Sequence, residues 1–384
     1  MALDKQTLNQ LCEAVRRFVE QRLIPLESQV ANDDIIPAAV VDEMRELGLF
    51  GLTTPTQYGG LGLTMSEEVQ VIFEIARTSP AFRSVFGTNV SIGSQGLVMG
   101  GTEAQKRLYL PRIASGELIA SFALTEPQSG SDAASILTRA ERDGDGYVIN
   151  GRKRYITNAP EAGLFTVFAR TGPREMGTKG ISTFLIEADT PGLCIGPWDK
   201  KMGQRGAHTA DVVFDECRVS ADAILGGVEG NGFATAMKVL DRGRIHLGAV
   251  CVGLAERMTD DALRYAMERE QFGQPIAEFQ LVQAMLADCK AEAYASRCMV
   301  EETARRKDAE IPVATEASCC KYFSSEMVGR VADRAVQIFG GAGYMTEYGI
   351  ERFYRDVRLF RIYEGTSQIQ QLVIAKNMIR GAAN

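Results

Sequence analysis

The hydrophobic repeat of this chain changes period twice, and that constrains its architecture more than any other property. Up to about residue 120 the apolar positions recur at helical spacing. Leu11, Val15, Phe18, Val19 and Leu23 form one stripe, and Glu43-Met44-Arg45-Glu46-Leu47 runs into Gly48, a C-terminal stop. Leu164 to Arg170, Ile181 to Ile186 and Asp211 to Phe214 are short β-like runs between Gly, Pro and Asp clusters. Their close spacing leaves no room for crossover helices, which predicts antiparallel strands. The Asn150-Gly151 pair after Gly146-Tyr147-Val148-Ile149 predicts a hairpin turn. Beyond Gly230-Asn231-Gly232 the helical period returns, with Leu247, Cys251, Leu254, Met258, Ala262 and Tyr265 on one stripe. Gly248, Ala249 and Gly253 between them leave space for close helix–helix contact. The reading is α, then β, then α, with the last part placed to form a bundle.

At 384 residues the chain is long enough for two or three packed units, each with its own core. A net charge of −7 supplies no basic field for nucleic acid. No apolar run approaches the length needed to span a bilayer. The opening segment MALDKQTLNQLCEAVRRFVEQ has no apolar h-region and reads as neither signal nor transit peptide. The eight cysteines form no CxxC pair, and Cys319-Cys320 are adjacent, poor geometry for a structural bridge. Reduced thiols fit a cytoplasmic location.

Several chemistries are excluded by composition. The two histidines, His208 and His246, have no acidic or cysteine neighbours at ligand spacing, so a His-rich metal site is not expected, and both read as structural. There is no G-x-S-x-G elbow, no G-x-G-x-x-G and no P-loop. A nucleotide cofactor would bind outside those frameworks.

Two segments remain as candidates. Thr125-Glu126-Pro127-Gln128-Ser129-Gly130-Ser131-Asp132 is a hydroxyl- and glycine-rich turn whose backbone N–H groups are free to meet a polar or anionic ligand; an ordinary surface turn is the alternative. In Lys153-Arg154-Tyr155-Ile156-Thr157-Asn158, alternation puts Tyr155 and Thr157 on one strand face.

Together these segments resemble the flavin-binding loops of the acyl-CoA dehydrogenase family, and the resemblance runs nearly the whole chain. It takes in Tyr58 to Gly62, Lys201-Met202-Gly203-Gln204-Arg205-Gly206, Asp241 to Arg244 and Arg269-Glu270-Gln271-Phe272-Gly273-Gln274-Pro275. It continues through Phe279-Gln280, Gln337-Ile338-Phe339-Gly340-Gly341 and Tyr354-Arg355-Asp356, and ends at Ile362-Tyr363-Glu364-Gly365-Thr366-Ser367-Gln368. It implies an α+β multidomain fold: an N-terminal helical domain (1–120), a middle antiparallel β-domain (121–232) and a C-terminal four-helix bundle (233–384). It implies FAD as cofactor, with Phe122, Leu124, Thr125, Gly130, Ser131, Tyr155, Ile156 and Thr157 around the flavin. Arg269, Gln271, Phe272, Phe279, Gln280, Gln337 and Gly341 resemble positions that reach the FAD of another subunit, so a homo-oligomer, usually a tetramer in the family, is expected. Thr366 and Gln368 would complete the nucleotide site. Position 155 is Tyr where the family usually has Trp, and Gln128-Ser129 stand where Gly-Ala is common.

Removing a thioester α-proton needs a base, and a carboxylate serves only when burial raises its pKa. The resemblance implies that Glu364 is that base, that its own backbone N–H polarises the thioester carbonyl, and that electrons pass to electron-transfer flavoprotein. Some members carry the base just before the arginine of the Asp241–Arg244 segment; here that position is Gly243. Ser131, Asp241, Arg244 and Gly365 resemble substrate contacts, an i, i+3 helix pair being the alternative for Asp241 and Arg244. Asn89 to Gly96, rich in small residues, is expected at the floor of the acyl pocket. Same-fold alternatives are an O2-using oxidase, a nitroalkane oxidase or flavin monooxygenase, and a DNA-associated flavoprotein.

Overall fold

The computed structural model describes residues 3–383. The helical N-terminal third carries α1 (Lys5–Phe18), α2 (Ile24–Asp33), α3 (Ala38–Glu46), α4 (Met65–Ile75), α5 (Pro80–Val90), α6 (Gln95–Gly100) and α7 (Glu103–Ala114). The α1 helix widens through Val19–Leu23 into α2, and Gly48 closes α3 in the left-handed conformation that its sequence position predicts.

Seven strands follow: β1 (Ala120–Ala123), β2 (Arg139–Asp143), β3 (Gly146–Thr157), β4 (Leu164–Arg170), β5 (Ile181–Glu187), β6 (Leu193–Trp198) and β7 (Thr209–Ser220). They form one sheet in the order β1-β4-β2-β3-β7-β6, with β5 also on β4. Most pairs are antiparallel, but β1 lies parallel to β4, and β2 meets the end of β4 in parallel at Arg139 and Arg170. The expectation of purely antiparallel strands therefore needs correction. The β1–β4 connection contains β2 and β3 rather than a helix, which local spacing does not reveal. Every residue of β4 is buried, as expected of a strand covered on both faces.

The Asn150-Gly151 pair does not turn the chain. The hairpin between β2 and β3 closes at Gly144-Asp145, and β3 runs straight through Asn150 with a bulge there against β7. Gly151 has φ +153°, and a Cβ on it would stand 2.5 Å from Thr138 Oγ1. Asn150 exchanges two 2.8 Å bonds with Glu216 across the bulge. The glycine thus serves a close strand crossing.

The C-terminal part is built on α8 (Gly232–Glu268), α9 (Gln280–Asp308), α10 (Ala314–Phe339), α11 (Ile350–Val357) and α12 (Ser367–Ala382), with a small hairpin, β8 (Glu270–Gln271) and β9 (Gln274–Pro275), after α8. Leu247, Cys251, Leu254, Met258 and Ala262 are all buried. At Gly253 an added Cβ would meet Phe73 O at 2.5 Å, so α8 packs directly on the backbone of α4. The N-terminal and C-terminal helices consequently share one continuous hydrophobic core, while the sheet has its own. A third cluster joins them, in which Phe122, Leu124 and Phe168 meet Phe233, Ala236 and Met237 of α8. No described helix is long and apolar enough to cross a membrane.

Candidate active site

The segment after α11 ends in two consecutive left-handed residues, Glu364 (φ +53°) and Gly365 (φ +87°), before Thr366 caps α12 by accepting from Ile369 N. A non-glycine Glu in this conformation is strained and must be held from outside. Two buried side chains hold it. Gln370 Nε2 donates to Glu364 O (3.0 Å) and Gly365 O (3.1 Å), and Lys321 Nζ donates to Gly365 O at 2.6 Å. The Cβ that any other residue would bring to position 365 would stand 2.6 Å from Gln370 Nε2. Both carbonyls are thus fixed, whereas the Glu364 N–H donates to no described residue.

The Glu364 side chain lies against α8. Its Oε2 is closed off from solvent and has no hydrogen-bond partner. A Cβ on Gly243 would come within 2.7 Å of that oxygen and within 3.5 Å of Ile92 Cγ2. Positions 243 and 364, the two that the sequence resemblance implies for a base, are therefore neighbours in space, and the glycine at one makes room for the carboxylate from the other. Burial drives the Glu364 carboxyl above the ordinary carboxylate range, while Arg83, Lys321 and Arg244 pull it back. Burial also pushes the Lys321 ammonium down to about 8, against the charge of Glu364.

Asp241 and Arg244 do form the i, i+3 pair, at 2.7 Å, but Arg244 is buried rather than on the helix surface. Of the Asn89-to-Gly96 segment, Ile92 reaches the Glu364 pocket. Asn89 instead locks β1 in place, donating to Ile113 O and Leu118 O and accepting from Ala120 N.

At the start of α8, Phe122 and Leu124 pack with Phe233, Ala236 and Met237. Arg154 N donates to Thr125 O at 2.8 Å, and Ser121 Oγ donates to Thr157 O at 2.7 Å, which ties the β1 loop to the end of β3. The N–H groups of Leu124 and Thr125, and the hydroxyls of Thr125 and Thr157, bond to no described residue. Such a free donor set suits a polar-edged planar ring. Beneath it sits a buried ion pair, Lys153 Nζ to Glu126 Oε1 at 2.7 Å, and Glu126 also accepts from Leu137 N and Thr138 N. Tyr155 is exposed and has φ +58°, so a bulge between Lys153 and Ile156 replaces the simple alternation expected with Thr157. Gly130 and Ser131 are exposed on the same loop, and Ile156 is buried.

Arg269, Gln271, Phe272, Phe279 and Gln280 stand elsewhere, beyond the C-terminal end of α8. At 1.5 Å per residue they lie roughly 38 Å along the helix from Gly243. Gln337 and Gly341 join them at that end, where Phe339 stacks on Tyr265 with centroids 4.1 Å apart. Phe272 is 93% exposed. Thr366 and Gln368 stay with Glu364.

Three family models match the chain in sequence order. They are the acyl-CoA dehydrogenase N-terminal domain over residues 5–117, the middle domain over 121–217 and the C-terminal domain over 230–379. The chain belongs to the acyl-CoA dehydrogenase family. It is similar to the mitochondrial short-chain specific acyl-CoA dehydrogenase of Homo sapiens, with 40% identity covering 98% of this chain and 90% of the relative. Among solved structures it is similar to butyryl-CoA dehydrogenase from Megasphaera elsdenii, with TM-score 0.94 and 34% identity over 99% of both chains. It is also similar to PigA in its FAD complex, with TM-score 0.93 and 28% identity over 98% of both. This acyl-CoA dehydrogenase is thus a flavoprotein oxidoreductase acting on acyl-CoA.

Arg83, Lys321 and Gln370 were not among the sequence candidates for the site. A charged or polar residue in an otherwise helical run gives no local sign of burial; only the packing of α5, α10 and α12 around Glu364 reveals their part.

Proposed function

We propose that the enzyme introduces a trans α,β double bond into an acyl-CoA thioester, with Glu364 as the base that takes the α-proton. The observation that carries this reading is the dry Oε2 of Glu364, unpartnered and pressed against a glycine within reach of three cations. A carboxylate desolvated in this way holds a proton more tightly than one in water, so it can accept one from a weak carbon acid. Arg83, Lys321 and Arg244 keep it from becoming permanently protonated. The free Glu364 N–H suits the thioester carbonyl, where negative charge develops as the proton leaves.

The free amides of Leu124 and Thr125 and the hydroxyls of Thr125 and Thr157 would hold FAD, which when bound supplies the acceptor for the hydride equivalent leaving Cβ. Tyr155, Ile156, Phe122, Gly130, Ser131, Thr366 and Gln368 line the same site in this reading. Arg269, Gln271, Phe272, Phe279, Gln280, Gln337 and Gly341 serve a second subunit's cofactor, and electron-transfer flavoprotein takes the electrons onward.

Anaerobic mixing with a panel of acyl-CoA thioesters, read as loss of flavin colour, tests the proposal. Glu364→Gln keeps its yellow FAD and loses nearly all bleaching; bleaching at the wild-type rate would remove Glu364 from the role. Dye reduction with little hydrogen peroxide is expected, and stoichiometric peroxide would show an oxidase instead.

A further inference from the structure

Four arginines are buried among the described residues, and three have obvious partners. Arg244 pairs with Asp241, Arg352 with Glu27 at 2.9 Å, and Arg170 donates to the carbonyls of Ala134, Ile136 and Gly177. Arg83, on α5, is different. Its Nε donates to His246 Nε2 at 2.8 Å, and no carboxylate comes within ion-pairing distance of it among the described residues. His246 in turn donates from Nδ1 to Glu68 Oε1 at 2.6 Å, and Glu68 is already neutralised by Arg242. The imidazole is neutral, because burial and the Arg83 charge push its pKa down to about 4. The chain from Glu68 through His246 therefore aims the guanidinium without compensating its charge.

The surroundings keep the other face of the guanidinium free. A Cβ on Gly87, one helical turn along α5, would stand 3.1 Å from Cζ, Nε and Nη1 of Arg83, so glycine gives the planar group its space. Nη1 and Nη2 donate to no described residue. Arg83 is also the strongest positive influence on the Glu364 carboxyl, ahead of Lys321 and Arg244. Arg242 and Arg244 are paired with Glu68 and Asp241, whereas Arg83 forms no ion pair among the described residues. Burying an uncompensated guanidinium is costly, and such groups are retained where an anion arrives to pair with them. Ile92, which borders Glu364, lies on the segment that continues from α5 beyond Gly87. Arg83 lies close enough for its charge to act on the Glu364 carboxyl.

We propose that the acyl group taken by this enzyme ends in a carboxylate, bound by the free Nη face of Arg83 while Glu364 works at the α-carbon. The proposal rests on Glu364 being the base and names the substrate class for it: a short ω-carboxyacyl thioester. Arg83 recognises the far end of the substrate in a planar, two-point contact that lysine cannot reproduce.

The test compares glutaryl-CoA with valeryl-CoA, which has the same number of acyl carbons and no terminal charge. Purified FAD-loaded wild type is expected to favour glutaryl-CoA in kcat/KM, and Arg83→Gln to lower that preference by about 100-fold, with Arg83→Lys between them. FAD content and melting temperature establish that each variant is folded. If wild type favours valeryl-CoA, the proposal is wrong whatever the variants do. An unchanged ratio in folded Arg83→Gln overturns it equally, leaving Arg83 as a counter-charge to Glu364. Glu364→Gln separates this from the base assignment. Perturbation of its bound-flavin spectrum should still report tighter binding of glutaryl-CoA than of valeryl-CoA, although bleaching is lost. Rapid bleaching by that variant would instead sink the base assignment, while leaving the ratio in wild type and Arg83→Gln to judge Arg83.

Discussion

Gly243 lies directly against the Glu364 carboxylate, so that a single added carbon at 243 would come within 2.7 Å of Oε2. Gly243→Ala therefore displaces the proposed base without touching the backbone that carries it. Overpacking of this kind costs about 1–3 kcal/mol, which appears as roughly a 5- to 150-fold loss in kcat if the strain falls on the reactive rotamer. FAD content should be unchanged. The same proximity predicts that Gly243→Glu combined with Glu364→Gly restores measurable bleaching that Glu364→Gly alone lacks. A double variant as dead as the single one would show that the two positions are not equivalent in reach.

Lys321 fixes the peptide next to Glu364. Its ammonium is buried, donates to Gly365 O at 2.6 Å and has its pKa pushed down to about 8 by burial. Lys321→Met keeps the stem but removes the donor, a charge-assisted bond of about 1.5–3 kcal/mol. The expected result is a 10- to 100-fold lower kcat with little loss of melting temperature, since a desolvated charge is removed as well. The wild-type kcat should also decline on the alkaline side near pH 8, as the positive charge beside the forming enolate is lost. That limb should vanish in the variant; a limb that persists would place the titration on another group.

The sequence made the three-part architecture and the Glu364 motif legible, because hydrophobic period and local turn residues are near-neighbour properties. The stripe on α8 and the run that became β4 were read correctly for that reason. Asn150-Gly151 misled because the pair suits both a hairpin turn and a bulge, and only the approach of Thr138 decides between them. The parallel β1–β4 pairing, the contact between Gly243 and Glu364 and the burial of Arg83 depend on elements far apart in the chain. No periodicity in one segment encodes them.

His246 should leave a mark on acid stability. Its folded pKa is pushed down to about 4, below the ordinary 6.5, by burial and by Arg83. Between those values the unfolded chain binds a proton that the folded chain does not, so this contribution is present above pH 6.5. It is lost as pH falls toward 4, by roughly 3 kcal/mol in all. Asp356 acts in the opposite sense, because burial raises its carboxyl to about 6 and favours the folded form as pH falls from there. The difference between wild type and His246→Gln isolates the histidine. Denaturant unfolding at several pH values should show the variant losing less stability than wild type from pH 6.5 to 4.5, and equal slopes would mean that His246 is charged in the folded protein.

Phe272, with φ +52° and 93% of its surface exposed, stands on the β8–β9 hairpin beside Arg269 and Gln271. In a single chain this hairpin is too far from Glu364 for any role at the same flavin, and an exposed ring of that size in a strained conformation needs another surface to cover it. If the hairpin reaches the cofactor of a second subunit, assembly and FAD retention are linked. Phe272→Ser and Arg269→Ala should then each shift the protein toward smaller species in sedimentation and release FAD on dilution. Excess FAD should partly restore the assembly, because the cofactor bridges the two chains and stabilises the form that binds it. A Phe272→Ser protein that stays assembled and fully yellow would show that the hairpin has no part in the cofactor site.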